Sequence, residues 1–232
     1  MRATIETLQG ETTVGDAVSY LRRNYLTLEE VLQKSGVEHQ RLLELIAKRC
    51  VPPHSHRAIH SVSITTNISG THTVTDVSGD YYHRDTVQFV RNAERLALSG
   101  ISVDDVAVLI KERFAAEVAE ALGKCVEDCC EAIELNWAQL HAGTFGVCLQ
   151  KMSPSHMIKK QRAVYRIEKL LNDVSNITES QIKKLEECIA DYNSVASDFG
   201  PHEVAASTRG RVVSRALTVL SQNSAVVRVR HI

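Results

Sequence analysis

SVDDVAVLIKERFAAEVAEALG, Ser102 to Gly123, reads as one long amphipathic helix, and its pattern decides the class of the chain. Ser102 offers a hydroxyl to the first turn with Asp105 three residues on, and Val103, Val106, Ala107, Ile110, Phe114 and Val118 recur at the spacing that lines up one apolar stripe. Gly123 suits the position just past a helix end. The same punctuation continues downstream. Asp85 can cap a helix through Leu98 that Gly100 breaks, another helix spans Lys124 to His141, and Pro154 sits in a first turn after Ser153. Thr178 with Gln181 forms a capping box, and Gly200-Pro201 interrupts before a last helix from Thr208 to Leu220.

Upstream, Asp16 to Tyr25 and Leu28 to Lys34 read as helices, the second opened by a Thr27/Glu30 capping box and ended by Gly36. A third, Glu38 to Arg49, carries Leu42, Leu43, Leu45 and Ile46 and stops at Pro52-Pro53. From Ala58 to Val77 the pattern turns β-branched and partly alternating (Ile59, Val62, Ile64, Thr66, Thr73, Thr75, Val77), with a hairpin turn at Ser69-Gly70. The expected fold is mainly α: a multi-helix single domain with a small helix-turn-helix-like N-terminal module (1–57), a hairpin and histidine-rich segment (58–84) and a main helical domain (85–232), joined in one compact unit.

Composition excludes several functions. The 232 residues are 44% hydrophobic and 24% charged, enough for one sizeable core. Lys and Arg total 27 against 28 Asp and Glu, so no net field draws polyanions. No apolar run approaches the roughly twenty residues of a spanning helix, and MRATIETLQGETT lacks the basic-then-apolar pattern of a secretory signal, so a cytoplasmic location is expected. The six cysteines form no pair of CxxC motifs at zinc-site distance, and Cys125 and Cys129, four apart, are read as packed thiols on one helix face. Without export, the Asn67-Ile-Ser69 and Asn176-Ile-Thr178 sequons carry no meaning.

Five of the ten histidines, His54, His56, His60, His72 and His83, fall in or beside the β-rich segment. Imidazole offers both a proton and a ligand lone pair near neutral pH, so such density points to a metal or haem, a proton relay or a polar pocket. Histidines on the exposed face of a hairpin account for the same density without function.

Tyr20-Leu-Arg-Arg-Asn-Tyr-Leu-Thr-Leu-Glu-Glu30, the Arg49 to Pro53 break, Trp137-Ala-Gln-Leu-His-Ala-Gly-Thr-Phe-Gly-Val-Cys-Leu149 and Pro201-His-Glu-Val-Ala-Ala-Ser-Thr-Arg-Gly-Arg211 resemble a family of small helical proteins of natural-product gene clusters, of the DUF6058 type. The resemblance runs over most of the chain and is nearest to the haem-dependent, D-cycloserine-pathway branch, which N-hydroxylates L-arginine. It implies haem b, free L-arginine as the small-molecule substrate, Nω-hydroxy-L-arginine as product, and dioxygen with a reductant, or peroxide, as oxidant. A homodimer is allowed; nucleic acid and membrane are not expected as partners. Side chains alone cannot activate oxygen, so a cofactor must carry such an oxidation.

On that resemblance His202 is the favoured iron ligand, with His56, His54, His83 and the thiolate of Cys148 as alternatives. Arg209, with Arg211 and Arg215, could meet haem propionates, Trp137 could stack on the cofactor, and Glu203, Glu131 or Glu134 could hold the guanidinium. Each has a plain structural reading: a helix entry for His202, a packed cysteine, a core tryptophan, a solvated basic face, and an acidic face over Glu127-Asp128, Glu131 and Glu134. Two other classes compete. Residues 16–57 have the rhythm of a helix-turn-helix regulator, although the second helix carries Glu29 and Glu30 against Lys34 alone. The absence of a nucleotide-binding glycine loop, nucleophile elbow or HExxH motif leaves room for a cofactor-free partner-binding protein.

Overall fold

A computed structural model describes residues 14–59, 63–68, 70–73, 79–172 and 177–229. Its helices form where their caps place them. In α1 (Val14–Asn24), β1 (Leu26–Thr27), α2 (Leu28–Ser35) and α3 (His39–Ala47), the chain turns from β1 into α2 at Thr27. There the Thr27 hydroxyl accepts from Glu30 N and the Glu30 carboxylate accepts from Thr27 N, and Gly36 closes the helix at φ +77°. Leu42 and Leu45 on α3 and Val31 on α2 are fully buried against α4 (Thr86–Ala97) and the start of α5 (Val103–Leu122).

Between α3 and α4 lies a five-stranded antiparallel sheet, β2 (His56–Ile59), β3 (Ser63–Thr66), β4 (Gly70–Thr73) and β5 (Gly79–Tyr82) with β1 on one edge, in the order β1-β5-β2-β3-β4. The single hairpin expected from sequence is thus only its β3–β4 part, with Gly70 at φ +76°; Ser69, His60, Val62, Thr75 and Val77 lie outside the described residues. Pairing of β2 with β5 puts His56 opposite Tyr81 and extends to Ser55 N, which donates to Tyr81 O.

The remaining helices are α6 (Cys130–His141), α7 (Thr144–Cys148), α8 (Pro154–Leu171), α9 (Glu179–Asn193) and α10 (Ser214–Val229). Phe114, Val118, Trp137, Leu140, Phe145 and Met157 join α5, α6, α7 and α8 in one core; Ile167, Leu185, Tyr192 and Val213 join α8, α9 and the approach to α10 in another. The protein is a mainly α single domain, and no described helix is long and apolar enough to cross a membrane.

Three local expectations are corrected. The helix expected from Lys124 starts at Cys130 after a 3₁₀ turn over Glu127–Cys129, so Cys125 and Cys129 share no helix face: Cys129 is buried and Cys125 exposed. Asp85 stands before α4 without a capping bond, because its Oδ2 accepts from Met152 N at 2.8 Å. The last helix is entered through a π-helical turn, Arg209–Val213.

Gly146 lets α7 lie against the strand entry, since a Cβ there would come within 2.1 Å of Ser55 Oγ and 3.2 Å of Ser55 Cβ. Gly146→Ala therefore lowers stability by about 1–3 kcal/mol as overpacking does. Urea unfolding of Gly146→Ala and of Gly146→Ala/Ser55→Gly checks this, the second change recovering part of the loss.

Candidate functional site

Two short segments far apart in the chain meet at the site. The first is the entry to β2: after Pro52-Pro53, ladder bonds to β5 fix the backbone at Ser55 and His56, and the His56 ring points inward, fully buried. The second is the turn Phe199-Gly-Pro-His-Glu203, closed by bonds from Glu203 N and Val204 N to Gly200 O. Glu203 is also fully buried. Its Oε1 lies 3.1 Å from His56 Nε2, and its Oε2 accepts from Gly200 N at 3.3 Å, so the carboxylate ties its own turn to the sheet.

His202 completes the group. His56, His202 and Glu203 each offer a ligand atom, and the three atoms lie within 4.8 Å of one another. Around them stand Tyr20 and Tyr25 of the α1 end, Tyr25 with its ring 4.4 Å from that of His56 and Tyr20 with its ring 6.1 Å from that of His202. Gly200 makes room for this packing: a Cβ would meet His202 Cε1 at 2.6 Å and Tyr20 Cδ1 at 2.9 Å.

Electrostatics follow from burial. Desolvation pushes the Glu203 carboxyl up, but the His56 hydrogen bond, the neighbouring charges of His56 and His202 and the Gly200 N–H outweigh it and hold the group below its ordinary value. Burial, with Glu203 nearby, raises both tyrosines well above theirs, so Tyr20 and Tyr25 stay protonated at neutral pH. Tyr20 donates to Asp198 O at 2.8 Å, and the two hydroxyls are 3.2 Å apart. His56 Nδ1 is buried without a hydrogen-bond partner among the described residues.

The tyrosines also form the inner wall of a polar cleft of about 420 Å³, lined further by Asn24, His83, Asp85, Lys151 and Asp198. A second cleft, about 390 Å³ and mostly apolar, shares Asp85 and Lys151 with it.

Of the residues singled out from sequence, the structure brings His202, His56 and Glu203 together and separates the others. His54 faces Asp80 at 3.5 Å, outside the triad. Both nitrogens of His83 are engaged: Nδ1 accepts from Asp85 N, and Nε2 lies 3.2 Å from Leu149 O. His72 sits on β4 opposite Ile64. Cys148 is buried in the core of α5 to α8. Trp137 is buried edge-on to Phe114 and also lines the apolar cleft. Arg209 reaches Asn193 Oδ1, lies 3.9 Å from Asp198 and stacks over Tyr192. Glu131 is exposed, and Glu134 pairs with Lys111 on the surface, so the acidic stretch of α6 is a solvated face. Arg211 and Arg215 are exposed. Sequence reasoning missed Tyr20 and Tyr25, although both stand in the quoted Tyr20-to-Glu30 stretch.

Residues 86–220 match the model of a family of unknown function, DUF6058. The chain belongs to this family. The DUF6058 match takes in His202 and Glu203 and leaves out His56, Tyr20 and Tyr25. No curated protein sequence and no solved structure matches the chain.

Haem, implied by the resemblance in sequence, needs an axial ligand that opens on an apolar slot. No histidine or cysteine lines the apolar cleft, His83 in the polar one has both nitrogens occupied, and His56 and His202 face Glu203 and two tyrosine rings. Among the described residues this donor set fits a single ion and does not fit a porphyrin.

His141, at the end of α6, stacks on Trp137 with neither nitrogen hydrogen-bonded among the described residues, and burial, with Arg49 nearby, lowers its pKa to about 4. A folded-state pKa below the unfolded value means stability is full above the unfolded pKa and is lost as pH falls through the folded one. Unfolding free energy is thus expected to fall between about pH 6.5 and 4, and urea titrations across that range should show a shallower fall for His141→Phe.

Proposed function

We propose that this protein is a metal-dependent oxygenase whose ion is held by His56, His202 and Glu203. The observation that carries the reading is the convergence of two imidazoles and one carboxylate from segments 147 residues apart, with His56 and Glu203 removed from water. Two histidines and one carboxylate, with coordination positions left open, form the ligand set of non-haem iron oxygenases. Bound iron would supply the means of activating dioxygen. The partnerless His56 Nδ1 adds support, because a buried lone pair without a partner costs about 1–3 kcal/mol.

The resemblance in sequence supplies the finer reading, oxidation of L-arginine to Nω-hydroxy-L-arginine in antibiotic biosynthesis. One oxygen atom would enter the guanidine and the other leave as water, with two electrons and two protons from an external reductant. The chain's own residues suit such a substrate. Asp85 and Asp198 offer carboxylates to a guanidinium in the polar cleft, and Lys151 offers an ammonium to an α-carboxylate; Arg84 is tied to the carbonyls of Arg23 and Asn24. Tyr20 and Tyr25 stand between this cleft and the triad as neutral hydroxyls, so their side chains would have to swing aside for a guanidine in the cleft to reach a bound ion.

Anaerobic titration with ferrous iron tests the reading. Wild-type protein should bind one equivalent, while His56→Ala, His202→Ala and Glu203→Gln bind at least ~10–100-fold more weakly, the loss that even an outer-shell change brings. With iron, dioxygen, reductant and L-arginine, mass spectrometry should find a product one oxygen atom heavier. A Soret band after expression with ample haem would replace the triad-held ion by haem. Absence of both iron and haem binding would end the oxygenase reading.

A further inference from the structure

We propose that the apolar cleft between α4, α5 and α6 is a separate binding site for a small amphiphilic carboxylate. Its wall is made by Phe89, Leu96, Ile110, Phe114, Trp137 and Met152, and its volume of about 390 Å³ falls in the range of small-molecule sites. Phe114 and Trp137 hold their rings 5.1 Å apart and edge-on, so the innermost surface is rigid and aromatic. Leu109, at the rim, is 39% exposed, an apolar side chain left open to water beside an apolar floor.

Charge at the mouth selects the head group. Arg95, Arg113 and Lys151 border the cleft with Asp85 and Glu117. Glu117 is paired with Arg113 at 3.1 Å, and Asp85, whose Oδ2 accepts from Met152 N, is shared with the polar cleft, so the three cations at this mouth outnumber its two carboxylates. Among the described residues Arg95 donates to the amide oxygen of Asn92 at 3.4 Å, and neither Arg95 nor Lys151 has a carboxylate within salt-bridge distance. Two exposed cations without counter-ions beside an apolar cavity match a ligand with a carboxylate at one end and an aliphatic or aromatic body. A cationic or zwitterionic head would meet like charge.

The site is distinct from the triad, since His56, His202 and Glu203 do not line it. It meets the polar cleft at Asp85 and Lys151. A carboxylate held by Lys151 therefore takes from the polar cleft the cation it shares, so an occupant here would weaken anion binding there.

Trp137 is the chain's single tryptophan and part of the wall, so its emission reports occupancy directly. Full-length protein, without added metal, is titrated with decanoate, decanol and decyltrimethylammonium below their aggregation concentrations, by tryptophan fluorescence and by calorimetry. Saturable decanoate binding is expected, with decanol and decyltrimethylammonium at least ~10-fold weaker, which is about 1.4 kcal/mol. Arg95→Gln/Lys151→Gln should bring decanoate down to the affinity of decanol, and Leu109→Glu, a change at an exposed position, should weaken decanoate binding. Near-UV circular dichroism establishes that each variant is folded. No saturable binding by either method, or equal affinity for decanoate and decyltrimethylammonium, overturns the proposal and leaves the metal reading untouched; loss of iron binding in the triad variants leaves this one untouched.

Discussion

The pairing of His56 with Glu203 is the constraint on which the arrangement around it depends. Both side chains are fully withdrawn from solvent, and taking a carboxylate out of water costs several kcal/mol unless its hydrogen-bonding capacity is met. Here the carboxylate is met on both oxygens, by the imidazole and by Gly200 N. The pair clamps the β2–β5 ladder to the turn that precedes the π-helical segment, while Tyr20 secures the same turn through Asp198 O. Removing one partner would strand a charge in a space that aromatic rings close off from water. The same clamp presents His202 beside Glu203, so what stabilises the fold here also assembles the donor set.

Helices were legible because their signals are local. Thr27 with Glu30, Ser102 with Asp105, and Thr178 with Gln181 each write a cap within four residues, and each forms the bonds its spacing implies. The sheet was only partly legible. β1 is two residues long and β5 is Gly79-Asp-Tyr-Tyr82, too short for alternation to register, and both gain strand character from partners distant in sequence. Asp85 shows the converse: its position before a helix invites a cap, but a backbone N–H from Met152 takes the carboxylate. No local pattern encodes that competition.

The site divides in the same way. His202 and Glu203 are adjacent and follow a Gly-Pro break, and His56 follows a double proline, so each stood out singly. Their grouping did not, because it arises from a contact spanning 147 residues. His83 and Cys148, equal candidates on residue type, were placed by packing: one is held by Leu149 O and Asp85 N, the other lies in the core. Tyr20 in α1 and Tyr25 just after it look like ordinary apolar positions, and only the approach of the 198–203 turn turns them into the wall between cleft and donors. The DUF6058 match covers His202 and Glu203 of that turn, while His56 comes from the sheet outside it.

The great separation between the two halves of the donor set has a temporal side. During synthesis from the N-terminus, His56 emerges early and waits, and its partner is made only after α9 is complete. Closing so long a loop is slow compared with forming the helices between. The donor set is thus complete only once the turn at 198–203 packs onto the sheet, so a cation held there would be bound late in folding instead of templating it.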